Sequence, residues 1–258
     1  MWTVASDIDG TLTGDSDALL RLGRRIAQFR AVGGYFIMVT GRPYLDVLSG
    51  LANECLPEPD AIIAQVGTEI YLPSFKPGGK VLESWRAALL ASYDYAEALT
   101  FVDEDLGWRL QPPECNTELK ASWYYRGEGD ADLAAEKVCA AVRESARPYR
   151  VIWSSGRDLD ILPASSGKSG ALEHLLGVLQ RPVESCVVAG DSGNDLDMVQ
   201  RFPCAIVVAN AQSELVEYAR QNPRSGLKVV ANSFAAGVEE GLDFLGVLPP
   251  LGLEVDSL

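Results

Sequence analysis

The chain has 258 residues, 47 % of them apolar, with 22 basic and 36 acidic side chains and a formal net charge of −14. That length suits one large domain or two modest ones, and the apolar fraction is enough for a core without a disulfide or metal staple. The acidic balance argues against nucleic acid or an anionic membrane surface as a partner, and an anionic substrate then needs local rescue by Lys, Arg, helix N-termini or a divalent cation.

No apolar run approaches the roughly 20 residues of a membrane span. The opening stretch, MWTVASDIDG, lacks a basic segment followed by a long apolar one, so no secretory signal is expected and a cytoplasmic location is. Five cysteines (Cys55, Cys115, Cys139, Cys186, Cys204) are odd in number and widely spaced, matching neither a disulfide framework nor a zinc pattern.

In chain order, six apolar runs read as buried parallel strands: 2–6, 35–40, 61–66, 185–191, 204–210 and 227–231. Residues 16–32 carry Leu19, Leu22, Ile26 and Phe29 at helical spacing, with Asp15 or Ser16 placed to cap the helix. Residues 170–180, 194–201, 211–221 and 234–245 also read as helices. Strands alternating with helices predict a parallel sheet covered on both faces. The middle breaks this rhythm. A Pro/Gly-rich junction at 72–80 leads into a helical stretch near 84–99, strand-rich sequence from 106 to 127, a helix over 130–145 and more strand over 149–163. This is an α+β insert of about 80 residues, so the chain divides into 1–78, 79–160 and 161–258, with hinges at Pro73–Gly79 and Leu162–Gly167. The final stretch, 249–258, is predicted to be loosely packed.

Each apolar run ends in polar residues. In an open α/β sheet the active crevice lies beyond the C-terminal strand ends. Asp7, Asp9 and Thr11 follow the first strand, Thr40, Gly41 and Arg42 the second, and Asp191, Ser192, Asn194 and Asp195 the fourth; Lys168 begins the helix just before it. Three carboxylates make a hard oxygen site suited to Mg²⁺. A hydroxyl, an ammonium and free backbone N–H groups make a phosphate cradle. A carboxylate is a weak nucleophile, but phosphoryl transfer depends chiefly on in-line positioning and charge neutralisation. Taken singly, each motif is equally a turn, a cap or a solvated side chain; taken in order at strand ends, they describe one site.

DIDGT, TGR, the lysine of SGKSGAL and GDSGNDLDM, in this order and separated by roughly 30, 125 and 25 residues, resemble the four motifs of the haloacid dehalogenase superfamily of phosphohydrolases. The resemblance covers nearly the whole chain and implies a Rossmann-like α/β core with an inserted α+β cap of the C2 type. It implies Asp7 as the nucleophile that becomes an aspartyl-phosphate and Asp9 as the general acid and then base. Thr40, Gly41, Lys168 and Asn194 are implied at the phosphate. Asp7, Asp9 (through its carbonyl), Asp191 and Asp195 are implied around Mg²⁺.

A narrower resemblance, to the sucrose-phosphate phosphatase family, rests on VGTEIY (66–71), RLQP (109–112), LKASWYY (119–125), SSGRDLDILP (154–163) and ANAQSEL (209–215). Strand alternation puts Arg109 with Gln111, and Lys120 with Ser122 and Tyr124, on one cap face, and Trp123 with Tyr125 on the other. Asp158 and Asp160 alternate likewise, and Glu69 follows the third strand. Glu69, Arg109, Gln111, Lys120, Tyr124 and Asp160 are therefore the expected substrate contacts. The expected partner is a small sugar phosphate, the expected assembly a monomer or weak dimer. Sucrose 6-phosphate is the first expectation. Mannosylfructose phosphate, a glucosyl- or mannosylglycerate phosphate and a broad sugar-phosphate range stay open, as does a non-catalytic sugar-phosphate-binding domain. His174, the only histidine, sits in an apolar helical run and is expected to be a structural or surface residue rather than a catalytic one. No cysteine carries the Cys-x5-Arg loop of cysteine phosphatases.

Overall fold

The computed structural model describes residues 1–250; positions 251–258 of the predicted loose tail lie outside the described residues. Seven strands form the main sheet: β1 (Thr3–Ser6), β2 (Tyr35–Val39), β3 (Ala61–Ala64), β4 (Glu69–Tyr71), β9 (Cys186–Gly190), β10 (Cys204–Val207) and β11 (Leu227–Val229), once four strands of a second sheet, β5 to β8, are counted between. Their order is β11-β10-β9-β1-β2-β3-β4. Six run parallel, as the apolar runs predicted, and β1 lies at the centre with β2 and β9 on either side. The strand-order reversal at β1 makes the crevice of a doubly wound sheet, and all the polar strand ends named above open into it.

The helices follow their apolar spacing. α1 (Ser16–Ala31) buries Leu19, Leu22, Ile26 and Phe29, and Asp15 caps it by accepting the Ala18 N–H at 3.0 Å. α2 (Tyr44–Asn53) follows β2. α6 (Lys168–Val178), α7 (Leu196–Arg201), α8 (Ser213–Gln221) and α9 (Phe234–Phe244) complete the two helical layers, after three helices of the middle segment.

The third run is shorter than its apolar length suggests. β3 stops at Ala64, and Gln65, Val66 and Gly67 take φ of +52°, +56° and +87°. The chain reverses there and returns as β4, antiparallel to β3, so the sheet gains an edge strand that alternation alone did not distinguish from loop. Gly67 serves this bend: a Cβ there would lie 2.1 Å from the Gly167 carbonyl oxygen.

The middle segment holds a separate antiparallel sheet, ordered β5-β6-β8-β7, from β5 (Trp108–Leu110), β6 (Ala121–Tyr125), β7 (Tyr149–Ser154) and β8 (Asp158–Pro163). The 149–163 run is thus a hairpin, turning at Ser155 and Gly156, both with positive φ. The 84–99 stretch is two helices, α3 (Glu83–Leu90) and α4 (Tyr95–Leu99), because Asp94 starts a new helix by accepting the Glu97 N–H. α5 (Ala131–Arg143) covers one sheet face, where Trp108, Trp123, Leu159 and Ile161 join Ala135, Val138 and Val142. The other face looks back at the main sheet, where Ile152 and Leu162 touch Val66. α3 ties the two units together. Its buried Trp85 donates an indole N–H to the Gly67 carbonyl at 3.0 Å, and Ser84 Oγ lies 3.0 Å from a ring nitrogen of His174. His174 therefore lies at the contact between α3 and α6, away from the strand ends.

Gly67→Ala should destabilise the protein by at least about 2 kcal/mol, since both the left-handed backbone and the Gly167 contact oppose a side chain. Urea unfolding followed by far-UV circular dichroism measures this; an unchanged midpoint would mean the two loops do not touch.

Candidate active site

The site is built at the C-terminal edge of β1, β2 and β9. Asp7 directly follows β1, its N–H bonded to the Ala189 carbonyl of β9 at 3.0 Å. The chain then turns sharply, with the Thr11, Leu12 and Thr13 N–H groups all reaching the Ile8 carbonyl. Gly10 makes this possible: its φ is +78°, and a Cβ would stand 2.5 Å from Asp191 Oδ2. A glycine here lets the first and fourth motifs meet.

Lys168, first residue of α6, is fully buried. Its ammonium donates to Asp7 Oδ1 and to Asp195 Oδ1, each at 2.6 Å. Asp195 ends a 3-10 turn and uses its other oxygen to accept the Asp191 and Ser192 N–H groups at 3.0 and 3.1 Å. Asp191 accepts from Thr11 Oγ1 at 3.0 Å. Thr40, fully buried at the end of β2, accepts the Arg42 N–H at 3.1 Å. A Cβ on Gly41 would lie 3.9 Å from Asn194 Nδ2, so the second and fourth motifs are also adjacent.

Burial dominates the acid–base balance. It pushes Asp7 well above the ordinary carboxylate range; Lys168 pulls it back, and Asp195 and Asp191 push it further up. Asp191 is pushed up to about 6, by burial first and by the Asp195 charge second. Burial also works against the Lys168 ammonium, but Asp195 and Asp7 outweigh it and the net direction is upward. Oxygens of Asp7, Asp191 and Asp195 lie within 4.8 Å of one another. Three crowded carboxylates, two of them (Asp7 and Asp191) with elevated proton affinity, make a donor set suited to a hard divalent cation, which would replace protons as the neutralising charge. The residues fit such an ion.

Asp9 stands apart from this cluster. Its carboxylate is 59 % exposed and is gripped by the Arg42 guanidinium at 2.7 and 2.8 Å. Arg42 also holds Glu54, at the end of α2, through two bonds of 2.9 Å. The sequence reading missed this clamp. The arginine of TGR was the available signal, but Glu54 carried none.

In the cap, Asp160 is buried and accepts from Ser122 Oγ at 2.5 Å, with Lys120 Nζ 3.6 Å away. Lys120 is itself buried. Glu69, on β4, accepts from Tyr71 OH at 2.8 Å; burial raises its pKa, while Tyr71 and the Lys120 charge oppose the rise. Lys120 thus faces Asp160 directly and reaches Glu69 only through its charge. Gln111 donates to Asp158 Oδ1 and to the Trp123 carbonyl, both at 3.2 Å. Tyr124 lies between Arg126 and Arg157, about 5 Å from each. Gln111 and Tyr124 line an open groove of about 820 Å³ with Tyr95, Asn116, Thr117 and Glu118. Arg109 is exposed and donates to the Glu104 and Trp108 carbonyls, so it is spent on its own hairpin region rather than brought to the others. Gln65, not anticipated, is buried under the cap and donates to the Glu114 carbonyl at 2.8 Å.

Known proteins resemble this chain over nearly its whole length. The sequence profile of the sucrose-6F-phosphate phosphohydrolase family matches residues 2–246. The mannosylfructose-phosphate phosphatase of Agrobacterium fabrum is 32 % identical over 253 residues, covering 95 % of this chain and 97 % of that protein. Sucrose-phosphatase 1 of Nicotiana tabacum is 27 % identical over 258 residues, but the chain spans only 59 % of its length. Among solved structures, the sucrose-phosphatase of Synechocystis, crystallised with sucrose and phosphate, superposes with a TM-score of 0.86 at 27 % identity, covering 96 % of this chain and 99 % of that one. A haloacid dehalogenase-like hydrolase from Bacillus subtilis shares the fold at a TM-score of 0.65 and 18 % identity. The chain is a phosphoric monoester hydrolase of the haloacid dehalogenase superfamily, and it belongs to the sucrose-6F-phosphate phosphohydrolase family.

Proposed function

We propose that the chain is a cytoplasmic, Mg²⁺-dependent phosphatase of a phosphorylated disaccharide, with sucrose 6-phosphate as its substrate, acting as a monomer or weak dimer. The observation that carries this reading is the buried Lys168 ammonium bridging Asp7 and Asp195 beside Asp191, at the ends of neighbouring parallel strands. Mannosylfructose phosphate is the second reading, favoured by the 32 % identity to a phosphatase so named over nearly its full length.

Lys168 occupies Asp7 Oδ1 and so leaves Oδ2 to attack phosphorus. As that bond forms, the bond from phosphorus to the sugar oxygen breaks, and the departing oxygen takes a proton from Asp9. Asp9 must leave Arg42 to reach it, a rotation of an exposed side chain. Water then attacks the aspartyl-phosphate, Asp9 takes its proton, and Asp7 and inorganic phosphate are released. Thr40, Gly41 and Asn194, at the two strand ends flanking Asp7, bind and orient the phosphoryl oxygens. Asp7, Asp191, Asp195 and the Asp9 carbonyl would hold a divalent cation, which would supply charge neutralisation to the phosphoryl group. Glu69, Gln111, Lys120, Tyr124 and Asp160 orient the leaving sugar. Arg109 is the weakest of the expected contacts, because its donors are already used.

Asp7→Asn should lower kcat by about 10³-fold or more with the melting temperature preserved, measured by phosphate release from sucrose 6-phosphate. Near-full activity would sink the proposed chemistry.

Chelation should abolish turnover and added Mg²⁺ restore it. Because the Asp191 pKa sits at about 6 in the metal-free protein, that carboxyl takes up a proton as pH falls through 6, and Mg²⁺ affinity should drop there. Titration calorimetry at pH 5 and pH 7.5 measures the difference, and equal affinities would exclude Asp191 as a ligand.

Lys120→Met should cut kcat/KM for the disaccharide phosphate by about 10- to 100-fold while leaving p-nitrophenyl phosphate within about twofold. Equal losses on both would remove Lys120 from leaving-group recognition.

A further inference from the structure

The first turn of α6 carries Lys168, yet the residue before it offers no side chain to cap the helix. Gly167 has φ of +104°. The capping acceptor comes instead from α7. Asp197 Oδ2 accepts the Ser169 N–H at 3.2 Å and the Ser169 hydroxyl at 3.0 Å. Alternate residues of the fourth motif therefore clasp successive residues of α6: Asp195 takes Lys168, Asp197 takes Ser169. A third participant belongs to the cap. Arg150, on β7, donates through Nη2 to Asp197 Oδ2 at 3.0 Å and through Nη1 to the Ser166 carbonyl at 3.1 Å. The guanidinium straddles the segment leading into Lys168. Packing there is tight enough to demand glycine: a Cβ on Gly167 would lie 2.5 Å from Arg150 Nη1 and 2.7 Å from Asp197 Oδ2. The opposite side of the segment is closed by Gly67. Asp197 Oδ1 is buried without a partner, so the carboxylate depends on Oδ2 for all its compensation.

We propose that Arg150 and Asp197 are positioning residues for Lys168, making placement of the phosphate-binding ammonium conditional on the cap being seated. The inference rests on the reading of Lys168 given above. A fully buried lysine held by two 2.6 Å bonds has little slack, and a misplacement of about 1 Å in such a group costs on the order of 100-fold in rate. Arg150 reaches from the cap sheet to the segment that leads into the helix bearing that lysine, and to the carboxylate that caps the helix. When the cap moves away, the guanidinium leaves Asp197 and Ser166 together, and the entry to α6 loses its outer wall.

The test is steady-state kinetics of wild type, Lys168→Gln, Arg150→Gln, Arg150→Lys, Asp197→Asn and the Arg150→Gln/Asp197→Asn pair, on sucrose 6-phosphate and on p-nitrophenyl phosphate. Arg150→Gln and Asp197→Asn should each lower kcat by about tenfold or more, by the same factor on both esters, with Arg150→Lys partly recovered. The double variant should be within about twofold of the worse single, since both changes break one device. Multiplicative losses, an unchanged kcat or a loss confined to the sugar phosphate would overturn the proposal, the last by making Arg150 a leaving-group contact. If Arg150→Gln does not fold by circular dichroism, Asp197→Asn and Arg150→Lys decide by the same criteria. Full activity in Lys168→Gln would overturn the reading of Lys168 on which the inference rests, and no phosphate release from sucrose 6-phosphate by the wild type would overturn the proposed function, a separate failure.

Discussion

A single buried ammonium organises this molecule. Lys168 lies between Asp7 and Asp195 with no solvent access, and Asp191 completes the acidic cluster beside them. An unpaired carboxylate in such surroundings costs several kcal/mol, and two or three together would drive the strand ends apart or take up protons. Lysine removes part of that cost and fixes where β1, β9 and α6 meet. The glycines around it follow from the same crowding. Gly10 has to admit Asp191, and a Cβ on Gly190 would lie 2.4 Å from the Asp195 Cβ. The strand order, with β1 central and β9 its immediate neighbour, brings the first and fourth motifs within reach although 180 residues separate Thr11 from Asp191.

The parts of the fold that were legible are those where one physical rule dominates. Fully buried parallel strands read as continuous apolar runs, and α1 as an apolar stripe at helical spacing with an acidic cap. The illegible parts depend on rules that pull in different directions. Gln65 and Val66 are ordinary residues in left-handed backbone, and nothing about their identity marks the reversal that creates β4. The break between α3 and α4 turns on whether Asp94 caps a helix or decorates one, which is decided by tertiary packing. For the site, strand-end carboxylates and the lysine were readable because their types and order carry the chemistry. The Arg42–Glu54 pair was not, because a guanidinium and a carboxylate 12 residues apart are ordinary surface composition until α2 folds back.

The cap shows the same division. Alternation separated the face of Trp123 and Tyr125, on which the structure also puts Trp108, from the face of Ser122, beside which Asp160 pairs. It could not say that Arg109, on the second face, would turn to its own backbone. A long flexible side chain on a short edge strand finds the nearest unsatisfied carbonyl, and Glu104 and Trp108 supply two. Lys120 and Asp160 are held differently. Both are buried, and each limits the other's freedom, so they are pre-set in position before any ligand arrives. Under the proposed function, their burial would give each of them leverage over the choice among sugars: a desolvated polar group left unmatched by the wrong ligand costs far more than an exposed one.

Charge gives the last constraint. The chain is strongly acidic, and the cations nearest the crevice are already committed. Lys168 serves Asp7 and Asp195, Arg42 serves Asp9 and Glu54, Lys120 faces Asp160, and Arg150 is bound to Asp197. Around Asp7, two cations stand against the five carboxylates of Asp7, Asp9, Glu54, Asp191 and Asp195. A phosphate ester brings further negative charge into that surplus. The protein's own side chains leave the sum unfavourable, so the neutralising charge has to be imported, and the oxygen cluster of Asp7, Asp191 and Asp195 is where a small, hard dication finds the most donors at the least rearrangement. The elevated proton affinity of Asp7 and Asp191 expresses the same deficit in another form: in the absence of an imported cation, protons are drawn to the site in its place.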